Sequence, residues 1–232
     1  MPAATKARER AWGESNNTMF DTIILLTGPA VRPIFASVLS AHNPHLTIIP
    51  VGTPADLNAL AADTLARARL IAYVTGIIVP TRVLRRLGYG AYNFHPGPPN
   101  YPGWAPAHFA LYARAAEFGA TAHVMVSRVD EGPIVGVEMF SIPQGISAAG
   151  LEGMAYARLA HLFWTLAKPL ATCGEQLPVM SLQWSGNKTT RRDYAMLCDI
   201  PLDITREELE HRIEVFGDDP NFGSRVTFAG AA

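Results

Sequence analysis

The sequence predicts an α/β protein: a mostly parallel central sheet with helices on both of its faces. Three observations point there. Four short apolar runs, TIILLTG (22–28), LTIIPV (46–51), LIAYVTGIIV (70–79) and AYNF (91–94), read as buried strands. The segments between them carry helical spacing, and such alternation builds strand–helix–strand units around a parallel sheet. The chain has 232 residues, 49% of them hydrophobic, which is enough to bury a large core.

Taken in order, VRPIFASVLSAH (31–42) follows the first strand with helical spacing, and PADLNALAADTLARAR (54–69) reads as a second helix with proline near its start. The third strand contains Gly76, where a break is plausible. TRVLRRLG (81–88) is a short helix with Gly88 as its stop. After a proline-rich loop, APAHFALYARAAEF (105–118) reads as a helix stopped by Gly119. TAHVMVSRV (121–129) and IVGVEMFSI (134–142) read as two further strands. Residues 148–171 form a long amphipathic helix, with Leu151, Met154, Ala155, Leu159, Leu162 and Phe163 on one face, which serves as core or as a dimer interface. Near the end, Thr205 and Glu208 have capping-box spacing, Ile204 and Leu209 the spacing of a hydrophobic staple, and a helix is expected over 206–216.

Composition excludes several classes. A formal net charge of −1 gives no global field toward nucleic acid or an anionic membrane. No apolar run reaches the ~18–20 residues of a membrane span. The two cysteines, Cys173 and Cys198, lack metal or redox spacing and read as reduced thiols of a cytoplasmic protein. The N-terminus, MPAATKARERAWGESNNTMF, has no signal-peptide core. It is expected to be a flexible extension over residues 1–20, with Met19 a candidate natural start. No metal-ligand set is present, and no metal is expected.

The chemistry-bearing residues cluster around the end of the fourth strand. NFHPGPPNYPG (93–103) places Asn93 and His95 at the mouth of a stiff loop. In parallel sheets ligands sit outside the carboxyl ends of strands. GATAHVMVSRVDEGPIVG (119–136) adds His123 and Asp130, the latter in a tight turn. Taken alone, that aspartate is more often a turn former. Beside a histidine and an asparagine, it completes a set that can polarise a carbonyl, stabilise an oxyanion and move a proton.

These two stretches resemble the formyltransferase family that uses 10-formyltetrahydrofolate. The shared pattern is N-x-H-P, a proline-rich loop ending in Y-x-G, then a histidine and the aspartate of D-x-G-P. It is matched at Asn93, His95, Pro96, Tyr101, Gly103, His123, Asp130, Gly132 and Pro133. The resemblance covers residues 20–145 well. It implies a Rossmann-like formyltransferase fold. It also implies roles: Asn93 bonds the formyl oxygen, His95 stabilises the charge developing there, and Asp130 holds His95 and helps remove the proton of the attacking amine. His123 supports them. The folate pterin is implied to lie in an apolar slot between the end of the third strand (Ile77, Val79, Pro80) and the loop before Asp130 (Ser127, Arg128, Val129). Gly97 stands where the family often has serine, so loop shape is expected to differ.

Within the resemblance, a tRNA acceptor is not expected. The chain leaves no room for the barrel that follows the catalytic domain in those members, and it lacks a basic footprint. LTGPAVRP after the first strand does not look like the glycine-rich phosphate loop of the purine-pathway members. That leaves a small primary amine, with an amino sugar on a nucleotide carrier as a candidate. Tyr101, Trp104, His108, His123 and Arg191 are the expected acceptor-side residues. In WSGNKTTRRDY (184–194), Trp184 could stack on a base, while Lys188, Arg191 and Arg192 could meet a phosphate. The bland alternative is a solvated surface loop. His42, His45, His161 and Trp164 are expected to be turn or packing residues. The expected organisation is an extension over 1–20, a catalytic domain over 21–172 and a C-terminal extension over 173–232 packed against it. Three rival readings remain: a hydrolase passing the formyl group to water, a non-catalytic folate- or nucleotide-binding module, and a relative of hydrogenase-maturation proteins, whose loop HPGPP also resembles.

Overall fold

The computed structural model describes residues 20–227. The expected extension lies outside them through Met19, while its last residue, Phe20, packs against the core. The first half alternates β1 (Thr22–Thr27), α1 (Arg32–His42), β2 (Thr47–Val51), α2 (Pro54–Ala59), α3 (Ala62–Arg67), β3 (Ala68–Tyr73), α4 (Thr81–Leu84) and β4 (Ala91–His95). Then follow α5 (Pro106–Tyr112), β5 (Glu117–Val124), β6 (Ile134–Ser141) and α6 (Ala148–Thr172). The C-terminal part holds α7 (Arg191–Cys198), β7 (Ile200–Pro201), α8 (Arg206–Phe216) and β8 (Val226–Thr227).

One six-stranded sheet has the order β2-β1-β3-β4-β5-β6. The first four strands in that order are parallel, and β5 and β6 join antiparallel. Side chains of β1 and β3 are buried at every position, as strands covered on both faces must be. Successive residues point to opposite faces. Ile23, Leu25, Ile71 and Tyr73 pack with Leu39 of α1 and Phe163 of α6. Ile24, Leu26, Leu70 and Ala72 pack with Leu57, Leu65 and Val83 on the other face.

Arg69 is a charge inside this core, fully buried on β3. Its Nε donates to the Tyr89 carbonyl at 3.0 Å, Nη1 to Leu170 at 2.7 Å and Nη2 to Glu175 at 3.0 Å. A cation among the last carbonyls of α6 answers the negative end of that helix dipole. The guanidinium also lies 4.9 Å from the Phe20 ring centre and 5.4 Å from that of Tyr92.

Several elements differ from the sequence reading. The third strand ends at Tyr73, because Val74 turns to φ 43° and carries the chain out of the sheet. The expected helix over 54–69 is two, broken where Leu60 is extended (ψ 127°), and Ala68 and Arg69 belong to β3. The helix after the loop ends at Tyr112 rather than near Phe118. Arg114 adopts φ 51°, the Ala115 N–H reaches the Ala110 carbonyl at 2.9 Å and the Arg114 N–H reaches Leu111 at 2.8 Å. That is a Schellman end with arginine in the usual glycine place. Gly119, the expected stop, lies inside β5, where a Cβ would come within 2.4 Å of the Glu138 carbonyl. The strand expected over 121–129 runs over Glu117–Val124 instead.

The long helix and the helix over 206–216 form as expected. Thr205 caps the latter through the Glu208 N–H at 3.2 Å, but the Glu208 carboxylate does not return the bond. It is taken instead by the Tyr112 hydroxyl at 2.6 Å and Arg212 at 2.6 Å, which ties α8 to α5.

Candidate active site

β4 and β5 bring the expected residues together. Residues 93 and 95 share a face because strand side chains alternate. Antiparallel pairing sets Asn93 opposite His123. The Asn93 amide Nδ2 lies 3.1 Å from His123 Nε2. His123 Nδ1 is 2.9 Å from the Val124 carbonyl, which can only accept, so the ring proton sits on Nδ1 and Nε2 accepts from the amide. A β-bulge at Ala122/His123 in the β5–β6 pairing helps aim the ring.

Asp130 approaches from the β5–β6 turn at φ 50°. Its turn depends on Gly132, where a Cβ would meet the Val124 carbonyl at 1.8 Å. One carboxylate oxygen, Oδ2, accepts the Gly103 N–H at 2.9 Å and lies 3.5 Å from His95 Nδ1. The other, Oδ1, is 3.3 Å from His123 Nε2. That nitrogen carries no proton in this arrangement, so Oδ1 is buried with no donor. An unmet carboxylate oxygen at this depth is ready to take a proton or bind a donor.

His95 Nε2 is 3.1 Å from the Tyr101 carbonyl, so both ring nitrogens face oxygen acceptors. A neutral ring can serve only one of them, and a second proton would be held by Asp130. Burial pushes the His95 imidazole below its ordinary range, against the pull of Asp130 and the Tyr101 carbonyl. Burial would raise the Asp130 carboxyl, but the neighbouring His95 and the Gly103 amide act against it and hold it below its ordinary range. At neutral pH the site is an anion beside a neutral imidazole. His95, His123 and Asp130 are 5%, 2% and 3% exposed, so these charges act in a weakly screened medium.

Two cavities meet here. The larger, about 730 Å³, runs from Asn93, His95 and Asp130 past Trp104 and His108 to Glu152, Tyr194 and Asp219. The smaller, about 60 Å³, lies between Ile77–Val79 and Met125–Val129. Thr75, Ile78, Asn93, Val129 and Asp130 line both. Three of the four non-glycine residues at positive φ among the described residues, Val74, Ala105 and Asp130, line the larger cavity. Backbone strain of this kind costs ~1–3 kcal/mol per residue and gathers where function requires it.

The expected folate-side residues Ile77, Val79, Ser127, Arg128 and Val129 all line the smaller cavity, while Pro80 stands behind it as the N-cap of α4. The residues present fit a flat, largely apolar ring reaching toward Asn93. The slot is narrow for a bicyclic ring, and the side chains of Val126, Arg128 and Val129 form its exposed wall. On the acceptor side, Trp104, His108 and Arg191 line the larger cavity, with the Arg191 guanidinium 4.3 Å from the Trp104 ring centre. Tyr101 contributes its carbonyl, and its ring turns away to pack near Phe118. His123 stands behind Asn93.

Trp184 does not stand where a base could stack on it. Its ring meets His95 at 5.8 Å and His123 at 5.0 Å, both edge-on. Lys188 is engaged by the Val129 carbonyl and Glu131. The sequence reading missed the Gly103 amide on Asp130 and the polar far end at Glu152, Tyr156 and Asp219. Gly103 sits in the shared Y-x-G motif and carried that signal; the others lie far along the chain with none.

Residues 55–155 match the formyl transferase family. The matched segment includes Asn93, His95, His123 and Asp130. It is 33% identical over 142 residues to the methionyl-tRNA formyltransferase of Listeria welshimeri, covering 60% of this chain and 42% of that enzyme. The chain therefore spans under half the length of this curated relative. Among solved structures, a sugar N-formyltransferase from a Shewanella species superposes with a TM-score of 0.67 at 16% identity, covering 84% of this chain and 87% of that one. An N-formyltransferase from Helicobacter canadensis, in complex with folinic acid and dTDP-3-aminofucose, superposes with a TM-score of 0.62 at 15% identity, covering 85% and 81%. These likenesses support the Rossmann-like fold of formyltransferases.

Proposed function

We propose that this protein transfers a formyl group from 10-formyltetrahydrofolate to a primary amine of a small molecule, with an amino sugar on a nucleotide carrier as the candidate acceptor. The observation that carries the reading is the unmet Asp130 Oδ1, beside Asn93 and His95, at the junction of two cavities. An amine attacking a formyl carbon develops negative charge on the oxygen and positive charge on the nitrogen. Asn93 supplies a donor for the first, and His95 joins it when its Nε2–H turns from the Tyr101 carbonyl to the oxygen. Asp130, an anion at working pH, receives the proton lost by the second. Asn93 keeps a free amide N–H after serving His123, and that proton suits the formyl oxygen.

Folate would be held by Ile77, Val79, Ser127, Arg128 and Val129, and the acceptor by Trp104, His108 and Arg191. The Helicobacter canadensis complex supports a folate beside a nucleotide-linked amino sugar, as does the size of the larger cavity. The catalytic unit spans 21–172, with the segment from 173 onward closing the acceptor side. The Leu177 N–H to the Tyr92 hydroxyl and the Trp184 Nε1–H to the Gly132 carbonyl support that packing.

The test is incubation with 10-formyltetrahydrofolate, with and without a panel of amino-sugar nucleotides, following formamide product and free formate. Amine-dependent product is expected. Rapid formate release without amine would replace the reading with hydrolysis. Arg191→Ala should raise the KM for the acceptor and leave folate affinity unchanged.

A further inference from the structure

Between α6 and α7 an irregular segment runs from β6 to the site. The Met180 N–H bonds the Ile134 carbonyl at 2.8 Å, which fixes its start to β6. From residue 184 to 190 it grips the proline-rich loop. The Ser185 N–H bonds Pro99 at 3.0 Å, Ser185 Oγ bonds Asn100 at 3.1 Å, and the Thr189 N–H bonds Pro102 at 3.0 Å. Trp104 returns its N–H to the Thr189 carbonyl at 2.9 Å. Gly103 is required at this crossing, since a Cβ there would lie 2.2 Å from that carbonyl. The same Gly103 donates to Asp130. The grip therefore acts on the loop whose amide holds the carboxylate.

Trp184 is the inner residue of this strap. Its Nε1–H donates to the Gly132 carbonyl at 2.8 Å, two residues beyond Asp130. Its ring stands nearly perpendicular to both imidazoles, at 73° to His95 and 87° to His123. Edge-to-face packing of this kind fixes ring orientation and excludes water. One side chain thus meets all three elements that carry the site: the His95 ring at the end of β4, the His123 ring on β5, and the turn that bears Asp130.

We propose that Trp184 is a positioning residue for the His95–His123 pair, and that the 184–190 strap is what holds the proline-rich loop and the Asp130 turn in a single arrangement. The role rests on the formyl-transfer reading for its kinetic consequence, but its geometric content stands apart from it. Loss of the indole would open the imidazoles to water and free the Asp130 turn. The ionisable groups facing His95 are Asp130 from the β5–β6 turn and His123 from β5. Strap residue Lys188 is bound to Glu131 and the Val129 carbonyl.

Two variants separate positioning from simple stability. Trp184→Leu removes the ring. Trp184→Phe keeps a ring against the imidazoles and loses only the bond to Gly132. In the full chain with 15N-labelled histidine, NMR titration of the His95 and His123 rings is expected to show the His95 midpoint moving up by about half a pH unit or more in Trp184→Leu, because hydration relieves the burial that holds it down. In Trp184→Phe it should stay near wild type. If formyl transfer is present, kcat should fall about tenfold in Trp184→Leu with the folate KM within twofold, and Trp184→Phe should recover most of it. Unmoved histidine midpoints in Trp184→Leu would overturn the role. If Trp184→Leu does not fold, histidine midpoints or imidazole exchange in Trp184→Phe shifted as far as those of a denatured control would overturn it as well. The titration needs no turnover, so a protein inactive on every amine would remove the formyl-transfer reading and leave this inference to its own result.

Discussion

Asn93 and His123 face each other across the antiparallel β4–β5 pair, and their side chains meet at 3.1 Å. This contact follows the tautomer that the Val124 carbonyl fixes. With the His123 proton directed to Val124, the Asn93 amide is turned so that its second N–H is free, and Asp130 Oδ1 is left without a donor. A strand register chosen by hydrophobic pairing thereby decides which atom is the base.

Asp130→Asn is expected to reduce turnover by ~10²-fold or more while leaving the fold intact. Asparagine tolerates φ 50° and keeps an acceptor for the Gly103 N–H, so the geometry survives and the charge is lost. Asp130→Ala should lose stability as well, because alanine is strained in that conformation. Steady-state rates alongside urea unfolding midpoints separate the two effects. Turnover of Asp130→Asn within a few-fold of wild type would dismiss the carboxylate as the base.

Acid should weaken the fold in two stages. His95 is held below its ordinary imidazole value, so below pH ~6.5 the unfolded chain takes up its proton first and stability falls as pH drops. His108, also held down by burial, adds in the same direction. The Asp130 carboxyl, held below its ordinary value of 3.8, removes a further contribution as pH falls past that value. Unfolding midpoints measured from pH 8 to pH 4 should decline monotonically, and His95→Gln should flatten the slope between pH 7 and 5. A variant as pH-sensitive as wild type in that window would show that His95 is not the group responsible.

Gly97→Ser would restore the residue that the family often carries. A Cβ at 97 would lie 2.7 Å from His95 Nε2 and 2.8 Å from Pro106 Cβ. Gly97, Pro98 and Pro99 are buried, so the loop has little room to yield. The substitution should cost ~1–3 kcal/mol of stability by overpacking and lower kcat more than it changes either KM. Calorimetry and kinetics on the same preparation would detect both, and an unchanged kcat would argue against a tight seat for His95.

Arg69→Leu should lower stability by ~3 kcal/mol or more. It leaves the buried Leu170 carbonyl without its donor, worth ~1–3 kcal/mol, and removes the partly buried bonds to Tyr89 and Glu175 together with the ring contacts of the guanidinium. Arg69→Lys should be nearly as poor, since an ammonium cannot reach three separated carbonyls with the planar fork. Denaturant midpoints of the two variants give the comparison, and a lysine variant as stable as wild type would refute the fork argument.

The sheet and the heart of the site were legible because each has a short-range signature. Continuous apolar runs mark β1 to β4, and N-x-H-P with D-x-G-P marks the residues that converge on the cavity junction. What was not legible depends on tertiary context. Arg114 ends α5 in a conformation usually given to glycine, while Gly119 serves close strand packing rather than a helix stop. Val74 leaves the sheet at positive φ although its neighbours TGIIV look like more strand. Glu208 had the spacing to complete a capping box, but Tyr112 and Arg212 from the folded protein won its carboxylate. Trp184 reads as a surface aromatic among cations, and only folding reveals the two imidazoles it meets.

The placement of the strap has a consequence for biosynthesis. As the chain leaves the ribosome, β1 to β6 emerge before residues 184–190. The histidines and Asp130 are then present but unbraced, and the proline-rich loop has no partner for the Pro99 and Pro102 carbonyls. The nascent chain carries the reactive groups early and acquires their alignment only when its C-terminal part arrives. A polypeptide stalled before Trp184 would hold His95, His123 and Asp130 without the indole and the strap that brace them.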